Sequence, residues 1–348
     1  MTSLATKKKT KELSALVDRI LKKYEVIGPI HKKSQFVFNQ ISSFDEMVLD
    51  YSTTILPPKK FLIPQKENLL SFERADGFVS EEPQLEKKQV LFGIHSCDLN
   101  AFSLLDKVFT DANPCPRYAK RRNSLILVAL TCNEPSEYCF CESMGTGPSP
   151  SEGYDLLLTD LGNEYLAESG SDAGEELIHL FDGESAGTPE LKKKETIIES
   201  AKKKFKRRIN TQDLPKIFQK NLDHPVWKKL GEIDLACAQC IYSCPTCYCF
   251  DVRDDINLTL DSGTRYKEWD ACFLKEFSEV ALEGNFRKDR AARVRQFMGH
   301  NLGWGGSEQY QFNGSKLKCV GCGRCIRACP VGIDITEVAA IMRGEKDA

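Results

Sequence analysis

The sequence has no apolar run approaching the roughly 20 residues a helix needs to span a bilayer, which argues against a helical membrane protein. Its start, MTSLATKKKTKEL, has no apolar leader segment, and a cytoplasmic protein is expected. Neither sign of charge dominates: Lys and Arg total 48, Asp and Glu 50, and the formal net charge is −2. Nucleic acid and anionic membrane are therefore not expected partners. Histidine is scarce, and His31, His95, His179, His224 and His300 have no metal-ligand spacing. There is no G-x-G-x-x-G and no P-loop, and Gly-rich GHNLGWGG (299–306) follows no strand pattern, so no nucleotide site is expected. No nucleophile–base constellation stands out.

Cysteine is abundant instead. The 348 residues, enough for two or three domains, include 15 cysteines. Disulfides are disfavoured in reducing compartments, where bunched cysteines point to metal or redox chemistry. Here they bunch at 97, 115, 132, 139 and 141, then at 237, 240, 244, 247, 249 and 272, then at 319, 322, 325 and 329. The odd total argues against a fully paired disulfide framework.

Residues 10–24 place Leu13, Leu16, Val17, Ile20, Leu21 and Tyr24 on one helical stripe, expected to pack on its own domain. VIGPI, FVFNQI, KKFLI and NLLSFE read as short strands. QVLFGIH (89–95) and SLILVAL (124–130) are continuous apolar runs suited to strands covered on both faces by helices. SCDLNAFSLLDKVF then reads as a helix capped by Ser96 or Asp98. GYDLLLTDLGNEYLAE (153–168) reads as two strands around a Gly-Asn turn. Residues 171–230 read as helical, and basic PELKKKETIIESAKKKFKRRIN as a solvated face or a docking surface for an acidic partner. After Asn210, Pro-punctuated TQDLPKIFQKNLDHPVWKKL marks a boundary. From 231 onward no strand is expected, and DACFLKEFSEVALEG, NFRKDRAARVRQFMGHNL and 334–342 read as helices. The expected class is α+β. An N-terminal α/β-type domain spans 1–210, and an all-helical dicluster domain of the α-helical ferredoxin kind spans 211–348.

The densest signal is CVGCGRCIRACP, residues 319–330. Its C-x2-C-x2-C-x3-C-P spacing is that of a 4Fe–4S run whose first three thiolates bind one cluster while the fourth reaches a second. Gly321 and Gly323 let the backbone wrap a cluster, and Pro330 turns the chain. Zinc, which uses separated C-x2-C pairs, is the rival reading, and it would make the chain a structural interaction protein. The fourth-cysteine rule demands a partner run, and CAQCIYSCP (237–245) supplies one without its leading cysteine. By reciprocity Cys319, Cys322 and Cys325 share one cluster with Cys244, and Cys237 and Cys240 share the other with Cys329. Asp234 stands where the missing cysteine belongs. Three outcomes are open: Asp234 ligates iron, water or hydroxide does, or the corner iron is lost and a 3Fe–4S cluster remains.

A third 4Fe–4S cluster is expected in the N-terminal half. Cys97 and Cys132 each follow a buried strand pattern, and parallel strands would set both at one carboxyl edge, where open α/β sheets bind ligands. Cys139 and Cys141 come next, in a Gly/Pro-rich loop that could fold back. Cys247, Cys249 and Cys272 remain: they could bind another cluster, though three are one short of its four ligands, or simply line the cluster pocket, and Cys115 has no partner pattern.

CPTCYCFDV (244–252), WDACF (269–273), CVGCGRCIRACPVGIDI (319–335), TILPPKKFLIP (54–64), GIHSCDLNA (93–101) and CFCESMGTGPSPSEGYDLLLTDLG (139–162) together resemble one family. It comprises the A component of anaerobic sulfite reductase and the β subunit of cytosolic, sulfhydrogenase-type nickel–iron hydrogenases. The resemblance implies a 4Fe–4S dicluster electron-transfer subunit without a substrate site of its own. It would relay electrons between a flavin subunit handling NAD(P)H and a catalytic or further redox subunit, with heterodisulfide-reductase-like modules also possible neighbours. Cys97, Cys132, Cys139, Cys141, Cys247, Cys249 and Cys272 match family cysteines, and Cys115 does not. Asp234 departs from the family pattern, and His95 does so to a lesser degree. A self-sufficient reductase is the third class, and the missing nucleotide motif argues against it.

Overall fold

The computed structural model describes residues 7–10, 13–74, 77–80, 83, 87–181, 183–304 and 317–347. Its N-terminal half is built on β1 (Lys7–Thr10), α1 (Leu13–Lys23), β2 (Glu25–Lys32), β3 (Gln35–Ile41), β4 (Lys66–Glu73), β5 (Gly77–Ser80), β6 (Gln89–His95), α2 (Ser96–Asp106), α3 (Pro116–Asn123), β7 (Leu125–Leu130), β8 (Leu156–Asp160), β9 (Tyr165–Ser169), α4 (Asp172–Ile178), β10 (Glu184–Ser185) and α5 (Thr188–Lys204). Eight strands form one sheet in the order β10-β1-β9-β8-β7-β6-β2-β3. Its centre, β2-β6-β7-β8, is parallel, and antiparallel β3 and β9 flank it.

The continuous apolar runs make this sheet a middle layer. Val90 and Phe92 of β6 point to the side covered by Leu16, Val17 and Ile20 of α1. Leu91 and Ile94 point to the other side, against Leu99, Phe102 and Leu105 of α2. Register slips between Phe92 and Ile94, where Gly93 takes φ +80°. A bulge of this kind bends the strand end and re-aims the residues after it. Those residues are His95, Ser96 and Cys97. Helix α2 starts directly from the strand with His95 as its cap, so neither Ser96 nor Asp98 caps it.

The C-terminal half adds α6 (Leu214–Lys220), α7 (Val226–Ile233), α8 (Gln239–Tyr242), β11 (Phe250–Ile256), β12 (Ser262–Trp269), α9 (Arg290–Leu302), α10 (Arg324–Ala328) and α11 (Ile335–Arg343). Phe218, Trp227, Val294, Phe297, Met298, Leu302, Ile335 and Val338 pack its helices into a core. α7 and α9 approach closely because Gly231 faces Ala291, where a Cβ would lie 2.6 Å from the Ala291 nitrogen.

Three further expectations fail. The region beyond 231 is not all-helical: β11 and β12 form a hairpin that joins β4 and β5 in a four-stranded sheet drawn from both halves of the chain. This hairpin is largely solvent-facing, so it shows no buried alternation, and cross-strand pairs such as Asp254–Arg265 sustain it. DACFLKEFSEVALEG forms turns and a two-residue strand pair rather than a helix, with Leu282 and Glu283 at φ 63° and 59°. KKFLI is not a strand: Pro58 opens a 3-10 turn over Pro58–Phe61 that buries Lys59. Glycines 305 and 306 of GHNLGWGG lie outside the described residues. Among the described residues no helix is long and apolar enough to cross a membrane.

Candidate metal centres

The motif cysteines surround two adjoining cavities. Cys244, Cys319, Cys322 and Cys325 line the inner one with Phe140, Pro245 and Asn301. Asp234, Cys240 and Cys329 line the outer one with Phe273, Met298 and Ile333. Cys325, Phe297 and Ile335 belong to the walls of both. The structure thus sets Cys244 among the first three cysteines of the later run, and Cys329 beside Cys240 of the earlier one. Cys237 neighbours Cys240 and is exposed. The loop carrying it is strained, since Ala236 and Ala238 take φ 51° and 60°, a region that costs non-glycine residues and recurs at functional sites. Asp234 ends α7, buried to 6% exposure, with its Oδ2 accepting from the Ala236 N–H at 2.9 Å. Burial lifts its carboxyl above the ordinary range against the opposing pull of that hydrogen bond and of Arg290 and Arg293.

The N-terminal quartet lies against the inner cavity. Parallel pairing of β6 and β7 sets Cys97 and Cys132 at one sheet edge. Cys97, Cys139 and Cys141 are buried in one cluster with Val320 and Cys322, and Cys132 neighbours Cys139 and Cys141. The two cysteine loops are stitched together. Phe140 N–H donates to the Gly321 carbonyl at 2.8 Å, Cys139 Sγ to the Cys322 carbonyl at 3.4 Å, and Thr146 Oγ1 to the Val320 carbonyl at 2.7 Å. Gly321, at φ +65°, has no room for a side chain: a Cβ would lie 2.7 Å from the Cys141 Cα.

Beneath this joint lies an ion pair the sequence did not announce. Arg324, 2% exposed, grips Asp98, 1% exposed, through two bonds of 2.6 and 2.7 Å. Its Nε also donates to the Thr54 carbonyl at 2.9 Å. Such a planar, two-point pair fixes orientation as well as distance. It ties the start of α10, inside the later cysteine run, to the first turn of α2, beside Cys97. His95 stacks on Tyr51 at 4.2 Å, and burial, with Arg324 nearby, drops its imidazole to about 3.

Two lysines were also missed. Lys59, 3% exposed, donates to the carbonyls of Cys244 and Cys247 and lies 4.6 Å over Trp269. Lys318, 4% exposed, lies 4.3 Å over Tyr248. Burial pulls the Lys59 ammonium below its ordinary range. Burial also pulls on Lys318, but nearby Cys247, Tyr248, Cys244 and Cys249 outweigh it and raise the group. A PPKKF turn gives no warning of a buried lysine, and the neighbours that explain it are distant in sequence. Cys115 stays apart, packed against an apolar cluster beneath α3.

These sites suit iron–sulfur clusters. Sulfurs receive hydrogen bonds: Gly321 N–H to Cys319 Sγ and Ile333 N–H to Cys329 Sγ, each 3.3 Å, contacts of the kind that tune cluster potential. Burial lifts most of the thiols, Cys132 and Cys322 to about 12, so cluster assembly here must displace protons. Among the described residues no three Cys, His, Asp or Glu side chains gather as ligands of a single metal ion. Ligands of a cluster are set around several irons rather than one.

Comparison with known proteins agrees with this chemistry. A family model described as a 4Fe-4S dicluster domain matches residues 234–333. The chain is similar to Sulfhydrogenase 2 subunit beta of Pyrococcus furiosus, 34% identical over 317 residues that cover 90% of each protein. The dicluster match displaces the zinc-scaffold reading. With interleaved cysteine sets on adjoining cavities and this extent of likeness, the chain belongs to the sulfhydrogenase β-subunit family, as an iron–sulfur electron-transfer subunit carrying a 4Fe–4S dicluster domain.

Proposed function

We propose that the chain relays single electrons between a flavin subunit that handles NAD(P)H and a catalytic redox subunit, in a hydrogenase-type complex. The name of its relative, a sulfhydrogenase subunit, supports the catalytic partner. Three clusters carry the current in this reading. Cys97, Cys132, Cys139 and Cys141 hold one in the N-terminal domain (1–210). Cys319, Cys322, Cys325 and Cys244 hold the second, and Cys237, Cys240, Cys329 and Asp234 the third, in the C-terminal domain (211–348). The abundance of free thiols suits a reducing cytoplasm.

The observation that carries the reading is continuity. Cys322 lines the inner cavity and packs with the N-terminal quartet, while Cys325 lines both inner and outer cavities. Close centres in file are what an electron wire requires. The bound clusters supply the redox chemistry. The chain's own residues hold them, exclude water and donate hydrogen bonds to sulfur. Anaerobic purification followed by iron and sulfide counting, with EPR-monitored redox titration, tests the reading. Three centres, about four irons each, are expected, and all should be reduced through a flavoprotein with NAD(P)H. A colourless, zinc-loaded chain, or one that oxidises NAD(P)H without a flavin partner, would end it.

A further inference from the structure

Besides Cys115, three cysteines take no part in this relay. Cys247, Cys249 and Cys272 lie outside both reciprocal ligand sets and outside the N-terminal quartet. The fold nonetheless gathers them. Phe250 of β11 pairs with Trp269 of β12, so the residues flanking the hairpin base, 247–249 and 270–272, are brought side by side. Asp270 N–H donates to the Cys249 carbonyl at 3.0 Å and fixes this register. Cys247 and Cys272 are 4% and 6% exposed, and Cys249 packs against the same core.

Two cations are buried at the same place. Lys59 reaches it from the 3-10 turn Pro58–Phe61 and binds the Cys247 carbonyl. Lys318 reaches it over the ring of Tyr248, the residue between Cys247 and Cys249 in sequence. Among the described residues neither ammonium forms a salt bridge with a carboxylate; Lys59 meets the Cys244 and Cys247 carbonyls and the Trp269 ring, and Lys318 the Tyr248 ring. A buried charge without a counter-charge is strongly disfavoured, and two like charges together are worse. Carbonyls and aromatic faces solvate the ammoniums only in part. The inner cluster at Cys244 would supply one anion beside these lysines, and sulfur ligands at Cys247 and Cys249 would supply a second.

Resting on the electron-relay reading, we propose that Cys247, Cys249 and Cys272 anchor a further iron–sulfur cluster whose negative charge is balanced by Lys59 and Lys318. Each cysteine gives up its thiol proton to solvent when it binds iron. A cluster held there would exchange one electron with the centre held by Cys244, so no other reductant would be needed. Three cysteines leave one coordination position to a non-cysteine ligand or without an iron. The two lysines favour the reduced, more negative state and raise the potential, so this centre would hold an electron beside the wire.

The test uses the full chain purified anaerobically. Replacing Cys247, Cys249 and Cys272 together by serine should remove one cluster, about three to four irons with their sulfide, and leave the EPR signals of the other centres. Iron and sulfide equal to wild type overturns the proposal, as does finding zinc or a Cys249–Cys272 disulfide there. The double variant Lys59→Gln, Lys318→Gln keeps the ligands and guards against misfolding of the triple variant. It should keep its iron and shift downward the midpoint potential of the signal missing from the triple variant, alongside any shift of the inner centre at Cys244. A shift confined to the other signals, or none, overturns the proposal. A wild-type chain without any iron would overturn the electron-relay reading itself, a different result from wild-type iron that the triple variant leaves intact.

Discussion

The inner and outer cavities derive from one cysteine spacing, yet they differ in what sets a cluster's potential. The inner one has four cysteines, is roofed by the Cys139–Cys141 loop, and has two buried lysines beyond Cys244. The outer one has a carboxylate among its cysteines, and nearby Cys237 is exposed, as are Ile233 and Leu235 at 50% and 57%. Ligand type and solvent access both act on cluster potential. The pair therefore reads as an inner relay joined to the N-terminal half and an outer port whose Asp234 and Cys237 sit on one strained loop. Damage at the inner site should spread, and damage at the outer site should stay local.

The sharpest way to break this contrast is Cys322→Ala. Cys322 touches both the inner cavity and the N-terminal quartet. The variant should lose the inner cluster, about four irons per chain, and disturb the N-terminal signal as well. Iron analysis with EPR checks this, and an unchanged N-terminal signal would separate centres that the contrast joins. Arg324→Ala comes next. It leaves Asp98 buried and unpaired, a change that costs about 3–5 kcal/mol. Denaturant unfolding should show that loss, with both inner and N-terminal signals altered and the outer signal retained.

Gly321→Ala should have a smaller effect. The positive φ alone costs about 1–3 kcal/mol, and the added Cβ must push back the Cys141 backbone at 2.7 Å. The stability loss should come with a broadened N-terminal EPR signal, because the two loops part while every ligand remains. A variant as stable as wild type, with unchanged spectra, would mean that the joint is looser than the hydrogen bonds imply.

What was legible in the sequence obeyed short-range rules. QVLFGIH and SLILVAL are buried on both faces, so their texture announced parallel strands, and Cys97 and Cys132 fell at the edge those strands define. The cysteine runs were legible because cluster ligands must sit close along the chain. The failures share a cause. FDVRDDI is a strand held by pairing with β12, with little buried face for a periodicity to record. Lys59, Lys318, Asp98 and Arg324 are charged residues whose burial depends on partners far away in sequence. Composition places such residues outside, and only the assembled fold supplies the neighbours that hold them in.

Asp234→Cys has the smallest effect and probes the outer site most directly. Asp234 already lines the outer cavity with Cys240 and Cys329, on a loop held by the Ala236 N–H and by Arg290 on its carbonyl at 2.6 Å. A thiolate at this position completes the run, so iron content and stability should match wild type while the outer EPR signal changes form and potential. The inner and N-terminal signals should keep their form, since Asp234 lines neither the inner cavity nor the N-terminal cysteine cluster. Asp234→Ala gives the complementary result: the corner iron loses its ligand, about one iron per chain disappears, and an oxidised three-iron EPR signal grows. If wild type already shows that signal after anaerobic iron reconstitution, Asp234 does not ligate. The carboxylate would then be a wall of the outer cavity, and the difference between the two sites would rest on exposure alone.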